Sequence, residues 1–163
     1  MARALLVGCG CRGRELGRAL RDDGWEVRGT TRDPDGAAEI EAAGIEAAVA
    51  DPHRIGTVLE HVADVTLVAW LLGSATGGAD AVEAIHGARL ERLLEELVDT
   101  PVRGVLYEAA GSVDGATLRE GARVAVAASE RWRIPVALLE HDSADWGGWI
   151  EAARTEIHAL LGA

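Results

Sequence analysis

The sequence predicts an α/β fold in three layers, a parallel sheet of about six strands covered by helices on both faces. Three observations predict it. Six short apolar runs of β type alternate with stretches of helical periodicity, the pattern of repeated βα units whose sheet is covered on both sides. A glycine-rich turn, VGCGCRGRELG at residues 7 to 17, joins the first run to the first helical stretch. The length, 163 residues, suits a single domain over 1–163 with a sizeable core.

The strands are expected at Ala4 to Cys9, Glu26 to Thr30, Glu46 to Ala50, Val65 to Trp70, Gly104 to Ala109 and Val136 to Glu140. Between the fourth and fifth, Ala79 to Val98 reads as one helix, with Val82, Ile85, Leu90, Leu93, Leu94 and Leu97 on one side and Glu and Arg on the other. A further helix is expected over 115 to 133. The last begins near Ser143 and carries Trp146, Trp149, Ile150, Ala153, Ile157, Leu160 and Leu161 on its apolar side. The final two of the five Trp, in a chain without Phe, read as packing residues with no chemistry. GSATGGAD, 73 to 80, is either a mobile ligand-touching loop at the end of the fourth strand or a solvated turn.

Composition narrows the partners. A net charge of -11 spread along the chain disfavours a nucleic-acid backbone, so an anionic ligand needs a local positive site. The longest apolar run, VTLVAWLL at 65 to 72, falls well short of the roughly 18 residues of a membrane span. The N-terminus lacks the apolar stretch of a secretory signal, so cytoplasm is the expected compartment. All sixteen basic residues are Arg, which excludes any mechanism that needs a lysine.

The glycines are spaced Gly8-x-Gly10-x-x-Gly13 between strand and helix, the context in which that spacing signals a dinucleotide cradle. Gly8 permits the turn, Gly10 admits a pyrophosphate to the backbone, and Gly13 lets helix and strand approach, while the helix N-terminus supplies unpaired N–H donors. The arrangement is then a Rossmann fold with strand order 3-2-1-4-5-6. Cys9 and Cys11 form a C-x-C pair, but the chain has no other Cys and no clustered His; they read as small side chains in a crowded turn and not as a metal or redox pair, with Cys11 kept as a cofactor contact. After the second strand, VRGTTRDPDG places Thr31 and Arg32 where an adenosine ribose would lie. Arg32 suits a 2′-phosphate, with Thr31 in support, and Asp33-Pro34 reads as a helix cap. NADP is therefore expected ahead of NAD. Arg12 either faces the phosphates or is a solvated first-turn arginine. Trp70, at the end of the fourth strand, joins the cofactor-contact candidates.

The stretch ALLVGCGCRGRELGRALRDDGWEVRGTTRDP resembles the N-terminal unit of atypical short-chain dehydrogenase/reductase-like proteins, which are related to NAD-dependent epimerases and dehydratases and carry GxGxxG in place of GxxGxxG. The likeness extends through GIEAAVADPHRIGTVLEHVADVTLVAW, AIHGARLERLLEEL and GVLYEAAGSV. It implies that Asp51, after the third strand, contacts the adenine; the alternative is that Asp51 caps the following helix. It also implies a Ser after the fifth strand and a Tyr-x-x-x-Lys pair on the next helix. This chain has Glu108 at the first position, and 115 to 133 contains neither Tyr nor Lys. One helix follows the sixth strand, where the family adds a substrate-binding region.

With that set missing, Glu108 is the weak candidate for proton transfer. Tyr107 should point to the opposite face of the strand, and Glu140, His141 and Asp142 lie near the sixth strand's end. The expected function is an NADP(H)-binding oxidoreductase-like protein acting on a small polar carbonyl metabolite. A non-enzymatic NADP(H) sensor or scaffold and a reductase that draws its proton from solvent are the alternatives. A homodimer is plausible through the fourth and fifth helices, although the apolar VAVAA face at 124 to 128 would serve equally to cover the sheet.

Overall fold

The structure, a computed structural model, describes residues 2–162. Its sheet contains β1 (Arg3–Val7), β2 (Glu26–Thr31), β3 (Glu46–Val49), β4 (Leu67–Trp70), β5 (Gly104–Glu108) and β6 (Val136–Leu139). All neighbours pair in parallel in the order β3-β2-β1-β4-β5-β6. The expected order and strand positions therefore hold, with the strands ending one or two residues earlier at several edges. The helices are α1 (Cys11–Asp22), α2 (Ala37–Ala42), α3 (Ile55–Leu59), α4 (Ala79–Ile85), α5 (Ala88–Glu96), α6 (Gly115–Trp132) and α7 (Trp146–Leu160). None is long and apolar enough to cross a membrane.

Alternation along each strand divides the core into two layers. Leu5, Val7, Val68, Trp70, Val105 and Tyr107 face a layer closed by Val58, Leu90, Leu93, Leu94 and Ala125 of α3, α5 and α6. Ala4, Leu6, Leu67, Ala69 and Leu106 face the other, closed by Leu16 and Leu20 of α1, Ile40 of α2, and Trp149, Ala153 and Ile157 of α7. The helix α7 is tied to the end of α1 by Arg154, which donates to both carboxylate oxygens of Asp23 at 2.8 and 2.5 Å. In the VAVAA segment Ala125 and Ala128 are buried while Val126 is exposed, so this face covers the sheet.

The single helix expected over 79 to 98 is instead two, broken at His86 and Gly87. His86 leaves the helical path because its ring is drawn into the core. Nε2 donates to the Leu72 carbonyl at 2.9 Å, which can only accept, so Nδ1 accepts from the Tyr107 hydroxyl at 2.6 Å. Burial pushes His86 down and Tyr107 up, so both groups stay neutral and every polar atom of the pair is used.

Candidate functional site

A cavity of about 560 Å3 opens where β1, β2, β4 and β5 end, lined from the glycine turn through Thr31 and Arg32 on one side to Leu72, Ser74 and Glu108 on the other. Strand C-terminal ends are where open α/β sheets bind ligands. Gly8 turns with φ +87°, and a Cβ there would come within 2.5 Å of the Leu71 carbonyl oxygen. Gly10 is different: a Cβ built on it would meet nothing within 4 Å. Its hydrogen faces open space.

The helix α1 starts at Cys11 with Gly10 at its N-cap, no side-chain cap and no acidic residue in its first turn. Its first N–H groups are thus left for an anion, with the positive end of the helix dipole behind them. Thr30 holds the turn in place, accepting from the Gly8 N–H on its hydroxyl at 3.4 Å and from the Cys9 N–H on its carbonyl at 3.3 Å. Gly13 packs closely, with a Cβ there 3.3 Å from the Gly8 carbonyl oxygen.

The two cysteines part company. Cys9 is buried against Gly29, and burial pushes its thiol up to about 12. Cys11 is exposed and lines the cavity, its Sγ accepting from Arg14 at 3.3 Å. Among the described residues no three His, Cys, Asp or Glu side chains are placed to hold a metal.

At the β2 end Arg32 is 62% exposed and pairs only loosely with Asp51, 3.8 Å away. Thr31 donates its hydroxyl to the Asp33 carbonyl at 2.9 Å, and Asp33 caps the short turn at Pro34–Gly36 by accepting from Asp35. Asp51 accepts from the His53 N–H at 2.9 Å, so its carboxylate has a local structural task; the adjacent Ala50 and Pro52 reach the cavity wall. Arg14 was not singled out by sequence reasoning. It lines the same end and lies 3.5 Å from Glu39 of α2.

The expectation for Trp70 is corrected. It is fully buried, and its indole N–H donates to the Ile85 carbonyl at 3.0 Å. Its place on β4 turns it into the layer closed by α3, α5 and α6 and away from the cavity. Trp146 and Trp149, assigned from sequence to packing alone, both line the cavity.

Glu108 ends β5 on the cavity side, fully buried, and Tyr107 points to the opposite layer as alternation predicts. One carboxylate oxygen accepts from the Gly73 N–H at 2.7 Å and the other from the Trp149 indole at 3.0 Å. Arg12 of α1 lies 3.5 Å from Glu108, donates to the Ser74 hydroxyl at 3.3 Å and covers the Trp149 ring at 5.4 Å. The carboxylate thus joins α1, the β4 loop, β5 and α7. Burial pushes Glu108 up, although Gly73, Arg12 and Trp149 oppose the shift.

A carboxyl group with a raised folded-state pKa binds its proton more tightly in the folded protein. Its stabilising contribution is present at low pH and is lost as pH rises through the raised value. Wild type should therefore lose stability relative to Glu108→Gln as pH rises from the ordinary glutamate range. Urea melts of both proteins across that range check this; parallel pH profiles would show that Glu108 titrates alike folded and unfolded.

No family profile matches the chain, and no curated protein sequence matches it. Solved structures do. A short-chain dehydrogenase/reductase superfamily protein from Agrobacterium tumefaciens with bound NAD superimposes with a TM-score of 0.68 at 21% identity, over 85% of this chain and 48% of that one. UDP-glucuronic acid 4-epimerase from Bacillus cereus, in complex with UDP-glucuronic acid and NAD, gives 0.64 at 17% identity over 85% and 55%. Vestitone reductase from alfalfa gives 0.63 at 13% over 85% and 56%. The chain has the Rossmann fold these proteins share, and it spans about half their length.

Proposed function

We propose that the cavity binds a nicotinamide dinucleotide, NADP(H) ahead of NAD(H), and that the protein is an oxidoreductase-like protein acting on a small polar carbonyl metabolite. The observation that carries this reading is the open cradle at Gly10 under the uncapped, acid-free start of α1. The likeness to proteins crystallised with NAD supports the cofactor class. The residues fit the group. Gly8, Gly10, Cys11 and Gly13 would hold the pyrophosphate by backbone N–H groups and close approach, while Thr31, Arg32 and Arg14 would surround the adenosine ribose and Asp51 would stand at the adenine edge. When bound, the cofactor supplies or accepts a hydride at the substrate carbon, the carbonyl oxygen gaining or losing a proton in the same turnover.

The chain's own part is to orient the ligands at the β5 end. Glu108 accepts on both oxygens and is fully buried, so in this reading it positions Arg12 and the proton comes from solvent. That full commitment of Glu108 favours a second reading, an NADP(H)-responsive regulator without turnover.

Titrating the protein with NADPH, NADH and their oxidised forms by calorimetry tests the assignment. Tight NADPH binding supports it, and no binding by any of the four would remove it. Arg32→Glu is expected to weaken NADPH by roughly a hundredfold, since an attractive phosphate contact becomes a repulsive one, and NADH by less than about threefold. Equal losses would remove Arg32 from the 2′-phosphate while sparing the cradle.

A further inference from the structure

We propose that the β5 end of the cavity is a binding site for the carboxylate of a small organic acid, with the Arg12 guanidinium as its receptor. This rests on the dinucleotide reading, because the acid would occupy the end of the cavity left by a cofactor lying over the glycine turn.

Arg12 is held in one place by three neighbours: the Glu108 carboxylate at 3.5 Å, the Ser74 hydroxyl at 3.3 Å and the Trp149 ring beneath it. The two polar contacts use only Nη2. The buried Nε has no partner but is closed off from the cavity, which leaves Nη1, without a partner among the described residues, as the donor open to a ligand. A guanidinium fixed in position with an unused, accessible donor is a preorganised receptor for a planar oxyanion, which accepts from it. The other cavity-lining arginines, Arg14 and Arg32, pair with Glu39 and Asp51 at the opposite end. Arg12 is therefore the cation that an acid entering beside Leu72, Ala75 and Trp146 would meet.

Charge selects the class of anion. Arg12 brings one positive charge, and Glu108 stands directly behind it. Either anion meets repulsion from Glu108, but a carboxylate brings half the charge of a phosphate dianion, which would need a second cation to offset it. The apolar walls of Leu72, Ala75 and Trp146 suit the carbon skeleton of a 2-oxo acid better than a heavily hydroxylated sugar.

The test uses the whole protein with saturating NADP+, which cannot reduce the probe. Pyruvate, phenylpyruvate and benzoate are titrated against pyruvamide, phenylpyruvamide and benzamide, followed by calorimetry and by the fluorescence of Trp146 and Trp149. Each acid is expected to bind at least about tenfold more tightly than its amide, since only the acid makes the charged contact. In Arg12→Met combined with Glu108→Gln, which removes both charges and leaves neither buried alone, that preference should fall to about twofold or less.

Equal binding of acids and amides by wild type overturns the proposal without reference to any variant. So does no binding of any acid, or inorganic phosphate binding more tightly than the acids. A double variant that keeps the preference also overturns it, and one that keeps the preference while losing NADP+ affinity would assign Arg12 to the pyrophosphate. The same titration without NADP+ separates the two readings: an acid preference in a protein that binds no dinucleotide would remove the cofactor assignment and leave Arg12 as the carboxylate receptor.

Discussion

Gly10→Val is expected to fold as wild type does and to lose dinucleotide affinity by roughly a hundredfold or more, because its side chain would stand where the pyrophosphate approaches the backbone. The two halves of this result have separate causes. A Cβ at Gly10 meets nothing within 4 Å, so the protein has no steric reason to object. At Gly8 the same change would strain a backbone with φ +87° and collide with the Leu71 carbonyl, and binding would be lost through the fold. Thermal melts with NADPH calorimetry for both variants check the contrast. Unchanged affinity in a folded Gly10→Val protein would show that the turn does not hold a nucleotide.

Glu108→Ala is the substitution expected to cost most in stability. It strips the Gly73 N–H and the Trp149 indole of their acceptor and leaves Arg12 without its counter-charge. Breaking a buried pair by removing one partner costs roughly 3–5 kcal/mol. The low end applies, since the Arg12 side chain retains 24% exposure and water can screen its charge. For a chain of this length that corresponds to a melting temperature lower by about 6–12 °C. Glu108→Gln, which keeps an acceptor and removes the charge, should lose much less. A Glu108→Ala protein melting within about 2 °C of wild type would mean that the cluster contributes little to the fold.

The sheet was readable because central parallel strands covered on both faces are largely apolar, and β1, β4 and β5 stand out as such runs between Arg- and Glu-rich helices. The break between α4 and α5 was not readable in the same way. Its cause lies in Tyr107 and Leu72, which no periodicity within 79 to 98 reports. The glycine cradle was legible from local spacing, and so was the division of Tyr107 and Glu108 between opposite layers.

What escaped was long-range. Trp149 belongs to the cavity only because α7 packs beside β5, and Thr30 matters only because β2 runs beside the turn. The place of Arg12 depends on Glu108, 96 positions further along the chain. Trp70 stands at the cavity end of β4, but the pleat turns its side chain into the opposite layer, which position along the strand does not reveal. The Glu83-Gly87 neighbourhood offered one local signal, a Gly after a His in an otherwise good helical run.

The clasp between Arg154 and Asp23 has a bearing on how the chain is made. These residues are 131 positions apart, and the layer they seal needs Leu16 and Leu20 from the first helix together with Trp149, Ala153 and Ile157 from the last. During synthesis the first βα unit emerges with that apolar flank uncovered. It must wait through those 131 positions before its partner appears, and long-range closure of this kind is slow and leaves surface open to self-association. The nascent protein is therefore most open to self-association in the interval before α7 has been made.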